Sequence, residues 1–236
     1  MRVDIWSDVV CPFCYIGKKR LERVAEEMNL DLEIHWHSFQ LDPKSPASFS
    51  VPTTELIAKK YGRSIEEMEA MQVQIAEMAA EEGIDFQWRK TKAGNSFDAH
   101  RVIHLAQSKG LGNKAKEAFF HAYMTEGLAI GERETVEEIA SRIGLENGEV
   151  EDMLNSNEFA EFVKYDEDLA REKLNVTGVP FFVFDQRVAL AGAQPAQVFE
   201  EVIQKTLASK DEKAATVSEP ESNAQCNDNS CDIKQD

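Results

Sequence analysis

Between Cys14 and Cys226 the chain has no cysteine. A fold stapled by disulfides would spread its cysteines among its elements, so this gap argues against one. There is also no uncharged apolar run of the roughly 18 residues that a membrane-spanning helix requires. The first residues, Met1-Arg2-Val3-Asp4-Ile5-Trp6-Ser7-Asp8, place acids where a signal peptide would be apolar. A cytoplasmic location is therefore expected. Cations are scarce as well: 26 Lys and Arg face 43 Asp and Glu, a net charge of −17. Such a surface repels phosphates, so neither nucleic acid nor an anionic membrane is an expected partner.

What is present is a soluble composition, 42% hydrophobic and 29% charged, with 236 residues to bury a sizeable core. Val3–Ser7 alternates like a short strand. Pro12 suits the first position of a helix running to about Met28, with Ile16, Leu21, Val24 and Ala25 inward and Lys18, Lys19, Arg23 and Glu26 outward. Leu32, Ile34 and Trp36 then share one face of a second strand. From about Val51 the pattern turns helical and stays so to Val176. Ser64-Ile65-Glu66-Glu67 and Thr135-Val136-Glu137-Glu138 both read as capping boxes. Further helices are expected after Asn95-Ser96, over Lys114–Thr125 and over Glu158–Leu174. The strand pattern returns at Phe181–Phe184 and Val188–Leu190, and Pro195 opens a final helix.

The expected architecture is α/β: a thioredoxin fold built from residues 1–50 and 176–207, interrupted by an all-helical insertion over 51–175. Residues 208–236, poor in large apolar side chains, are expected to form a flexible tail carrying Cys226 and Cys231.

The chemistry points to "VVCPFCYIG", residues 9–17. Cys11 falls at the N-cap of the first helix, where free backbone N–H groups and the helix dipole stabilise a thiolate. Cys14, almost one turn on, lies within disulfide reach of it. One sulfur can attack a substrate disulfide and the other can resolve the mixed disulfide. Val179-Pro180 precedes a strand directly, a place where a proline does not interrupt a central ladder and a cis peptide bond can stand.

With these residues in view, the sequence resembles a DsbA-family protein of the FrnE-like branch, related to the 2-hydroxychromene-2-carboxylate isomerases. The matching stretches are "SDVVCPFCYIGKKRLE" (7–22), "NSFDAHRVIHLA" (95–106), "GVPFFVFD" (178–185) and "GAQP" (192–195). The resemblance implies a thiol–disulfide oxidoreductase or isomerase with Cys11 as nucleophile, Cys14 as resolving cysteine and Pro180 as a cis-proline. Pro12, Phe13, Val179, His100 and Arg101 are the expected substrate-binding residues. The expected partners are protein or peptide thiols and disulfides and a thioredoxin- or glutathione-type reductant. No cofactor is called for beyond glutathione as a co-substrate, and no metal, since a zinc site would have to join the tail pair to the helix start. Two readings stand beside this one: a glutathione-dependent isomerase or transferase on the same fold, and a holdase chaperone.

Phe13 offers no positive charge to a thiolate, so the disulfide is expected to be less oxidising than that of proteins with a Pro-His centre. Cys226 and Cys231 enclose four turn-forming residues and are expected to act as a tethered redox relay. His35 and His37, at i and i+2, read as polar edge residues. Met68, Met71 and Met78, with Trp6, Trp36 and Trp88, read as core.

Overall fold

A computed structural model describes residues 1–215. The chain begins with β1 (Arg2–Ser7), α1 (Pro12–Glu27) and β2 (Glu33–Ser38). Seven helices follow before the next strand: α2 (Thr53–Tyr61), α3 (Ile65–Glu81), α4 (Phe97–Ser108), α5 (Gly112–His121), α6 (Arg133–Ile143), α7 (Asn147–Leu154) and α8 (Ala160–Asp168). The hairpin β3 (Phe181–Phe184) and β4 (Val188–Ala191) and the helix α9 (Ala196–Ala215) complete it. The sheet order is β2-β1-β3-β4. β1 runs parallel to β2 with Ile5 opposite Trp36, and antiparallel to β3 with Ile5 opposite Phe182. This is the thioredoxin-type α/β plan with helices inserted between β2 and β3.

Alternation along the strands gives the sheet two different faces. Val3, Ile5, Trp36, Phe182 and Phe184 join Leu21 and Val24 of α1, Phe119 and Phe120 of α5, and Phe199 and Ile203 of α9 in one core. The inserted helices thus share the core of the sheet. Each large side chain buried there contributes about 1.5–3 kcal/mol. On the opposite face Trp6 packs with Phe39, Ala170 and Val176.

Local signals explain most helix ends. Ser64 accepts from the Glu67 backbone and Glu67 returns a bond to the Ser64 N–H, so that capping box forms. The second expected box does not. α6 begins at Arg133 with Glu132 as N-cap, which puts Thr135 inside the first turn. Helices expected to be continuous end in π-turns at Ala122–Glu126 and Leu169–Lys173. The last helix continues to Ala215, eight residues past the Leu207 limit read from composition. Its polar continuation needs no apolar face of its own because it propagates from an anchored helix.

Lys18 is also placed differently from its expected exposed position. It is 2% exposed, with its ammonium 2.7 Å from Glu22 and 2.6 Å from Glu117, which ties α1 to α5. The expected core tryptophans are all buried, as is Met68, whereas Met71 is exposed.

Candidate functional site

The turn after β1 positions the site. The Cys11 N–H donates to the Asp8 carbonyl at 3.1 Å, and the Cys11 carbonyl accepts from Cys14 at 3.1 Å, which starts α1. Cys11 is the N-cap in extended conformation (φ −93°, ψ 111°), followed by Pro12. No side chain caps this end, so the first-turn N–H groups remain directed at the cysteine end of the helix. Both thiols are free and buried, Cys11 at 4% exposure and Cys14 at 1%.

The second wall is the segment before β3. The Val179–Pro180 peptide bond is cis. The Cys11 thiol donates to the Val179 carbonyl, with Sγ 3.6 Å from the oxygen. Gly17 permits this approach: a Cβ there would lie 3.1 Å from the Phe182 ring and 3.2 Å from Pro180. Pro180 is buried, Pro12 and Val179 are half-buried, and Phe13 is 39% exposed at the rim.

Charged groups lie beneath the cysteines, and sequence reading missed the main ones. Asp8 is buried; its Oδ2 accepts from the Leu41 N–H at 2.8 Å and its Oδ1 lies 3.4 Å from His100 Nε2. Burial would raise the Asp8 pKa, but His100 and the Leu41 N–H outweigh it and lower it. Burial lowers His100, so the imidazole is held towards its neutral form. His100 therefore belongs to the site through Asp8.

Lys116, from α5, is wholly buried; its ammonium donates to the Ser7 carbonyl at 3.1 Å and lies 5.2 Å from the centre of the Trp36 ring. Burial pushes the Cys14 thiol up and its neighbour Cys11 adds to this, while Lys116 and the Asp8 backbone pull the other way. The signal for Lys116 was absent from its own helix, because Ser7 and Trp36, which meet its ammonium, come from β1 and β2.

Arg101 is not brought to the cysteines. Its guanidinium donates to the carbonyls of Glu158 (2.9 Å), Ser156 (2.7 Å) and Met153 and to Asp98 (2.8 Å), bracketing the end of α7. Nor is His37 a free edge residue: it bridges Asp166 at 2.7 Å and Asp4 at 3.0 Å and stacks on Trp6. Cys226 and Cys231 lie outside the described residues. Among the described residues no group of three or more His, Cys, Asp or Glu side chains could hold a metal ion, and no helix is long and apolar enough to cross a membrane.

The arrangement suits sulfur exchange. A thiol at a helix N-terminus faces a backbone carbonyl, and a second thiol follows it in the first turn of the helix.

A family model described as DSBA-like thioredoxin domain matches residues 2–204. The crystal structure of a probable DsbA oxidoreductase from Streptomyces coelicolor is similar, with 34% identity, a TM-score of 0.83, and coverage of 88% of this chain and 90% of that one. A 2-hydroxychromene-2-carboxylate isomerase is similar in fold, with 19% identity, a TM-score of 0.64, and coverage of 93% and 100%. So is the cytosolic disulfide reductase DsbM from Pseudomonas aeruginosa, solved with GSH, with 18% identity, a TM-score of 0.61, and coverage of 91% and 100%.

Proposed function

The chain belongs to the DSBA-like thioredoxin domain family, and on that premise we propose that it is a thiol–disulfide oxidoreductase acting on protein or peptide disulfides. The Cys11 thiolate attacks one sulfur of a substrate disulfide, forming a mixed disulfide and releasing the first substrate thiolate. Cys14 then attacks the Cys11 sulfur, closing the Cys11–Cys14 disulfide and releasing the second. The observation that carries this reading is Cys11 at the N-cap of α1, with its sulfur 3.6 Å from the Val179 carbonyl. Val179 and Pro180 supply the backbone against which an extended peptide lies, and Phe13 supplies an apolar rim.

A thiol of the glutathione or thioredoxin type returns the pair to its reduced form. The DsbM structure, solved with GSH, supports glutathione in that role. The Cys226/Cys231 pair serves as a tethered relay to Cys11.

Reduction of insulin disulfides by dithiothreitol tests the reading. Wild type accelerates precipitation of the insulin chains and Cys11→Ser does not. Loss of part of the rate in Cys226→Ser, Cys231→Ser would support the relay, and an unchanged rate with every reductant would remove it. No acceleration by wild type would overturn the proposal.

A further inference from the structure

Arg20 of α1 is the point where three separate parts of the chain meet. Its Nε donates to Glu82 Oε1 at 2.7 Å, and its Nη1 donates to two backbone carbonyls, Ala193 at 3.1 Å and Gln194 at 2.8 Å. The ion pair is nearly enclosed, the Arg20 side chain being 11% exposed and that of Glu82 3%. Glu82, the C-cap of α3, also takes Arg23 at 3.1 Å. Burial would raise the Glu82 pKa, but Arg23 and Arg20 outweigh it and lower it, so the group that orients Arg20 is a charged carboxylate. A guanidinium held by a carboxylate on one side and two carbonyls on the other is fixed in direction, which a lysine ammonium would not be.

What Arg20 fixes is the turn after β4. The Gln194 N–H donates to the Gly192 carbonyl at 3.0 Å, and the Gln194 side-chain amide donates to the Ala191 carbonyl at 2.8 Å. Gly192, at φ +81°, takes the left-handed conformation this turn requires. Its N–H donates to the Pro180 carbonyl at 2.8 Å. The residue before Pro180 is Val179, whose carbonyl accepts from the Cys11 thiol at 3.6 Å. A continuous path therefore runs from Glu82 through Arg20 and the Ala193 and Gln194 carbonyls to Gly192, Pro180 and Val179. α1 packs against the same path midway, since a Cβ on Gly17 would meet Phe182, Pro180 and Ala193 at 3.1, 3.2 and 3.6 Å. Arg20 stands roughly 13 Å along the helix from Cys11. One helix thus carries the thiol at its start and, further along, holds the opposite wall of the site.

We propose that Arg20, oriented by Glu82, is a positioning residue for substrate: through the Ala193–Gln194 turn it sets where the Val179–Pro180 backbone stands opposite Cys11. This rests on the oxidoreductase reading above and deepens it, because it names the residue that fits the site to peptide disulfides. The substrate class favoured is a disulfide flanked by extended backbone, which lies along Val179–Pro180 while Cys11 attacks. A small disulfide without amide groups makes no such contact and is indifferent to Arg20.

The test oxidises the reduced full chain with a disulfide-bonded peptide and, separately, with 2-hydroxyethyl disulfide, reading rate against concentration. Arg20→Met should raise the half-saturating peptide concentration on the order of tenfold, the worth of about one backbone hydrogen bond, with the limiting rate retained. Its rate with 2-hydroxyethyl disulfide should match wild type. Arg20→Lys keeps the charge but not the fork, and should fall between the two. Arg20→Met leaves Glu82 short of a partner, so Arg20→Met with Glu82→Leu is the second variant. It should lose the same preference for peptide, whatever its melting temperature. A purely structural ion pair would lower the melting temperature and leave the ratio of the two disulfides as in wild type. That ratio unchanged in both variants, or an equal loss toward both disulfides, would overturn the proposal. Failure of wild type to be oxidised by either disulfide would overturn the oxidoreductase reading as well.

Discussion

On one face of the sheet His37 lies between Asp166 and Asp4, Asp166 also meets His104 at 3.2 Å and the Ser38 N–H at 2.8 Å, and Asp4 takes Arg2 at 2.6 Å. On the other face Lys116 has, among the described residues, one carbonyl and two aromatic rings. Both regions bury charge, but only the first completes its hydrogen bonds. A completed network pins α8 to the sheet and stabilises the fold. An incomplete one costs stability.

The contrast predicts opposite responses to mutation. Asp166→Ala strands His37, His104 and the Ser38 N–H together. Denaturant unfolding should show a loss of about 3–5 kcal/mol, with sulfur exchange by the remaining folded protein unchanged. A loss below about 1 kcal/mol would remove the distinction between the two faces.

A pH series sharpens the comparison next. Burial pulls His37 down, but hydrogen bonds to Asp166 and Asp4 outweigh it and raise the pKa to about 9. Because the folded value lies above the ordinary 6.5, the stability contribution is full below pH 6.5 and is lost as pH rises through 9. It amounts to about 3 kcal/mol. Unfolding of wild type and His37→Gln, compared between pH 6 and 10, should converge at the alkaline end.

Lys116 has the opposite sign. Its folded value lies below the ordinary 10.5, so its charged form costs stability at pH 7 that is recovered as pH rises through 8 and above. Lys116→Met should leave the unfolding free energy unchanged or raise it, by as much as about 3 kcal/mol. Destabilisation by this substitution would mean that the ammonium is structurally paired after all.

How far these regions could be read from sequence follows the same division. β1, α1 and β2 were legible because their periodicity and Pro12 act locally, and so was the Ser64 box. The place of Cys11 at a helix start and of Pro180 before a strand was legible for the same reason. Thr135 misled because the box pattern recurs within a helix whose start lies two residues earlier, at Arg133. Lys116 and Asp8 were not legible. In Lys114-Ala115-Lys116-Glu117 nothing local separates the buried lysine from an exposed one, since its environment is assembled with β1 and β2. His37 failed for the same reason, its partners being on β1 and α8. Arg101 was selected by its neighbourhood in sequence, and its long side chain turns instead to the carbonyls at and just beyond the end of α7.

The central claim is that Cys11 is the nucleophile and Cys14 resolves it. The most direct measurement is intact mass after mixing with a disulfide-bonded peptide, in a background of Cys226→Ser and Cys231→Ser. The account predicts that Cys14→Ser accumulates one peptide covalently on Cys11, released by dithiothreitol, and that Cys11→Ser accumulates none. An adduct on Cys14 in the Cys11→Ser chain, or no adduct in either chain, would contradict it.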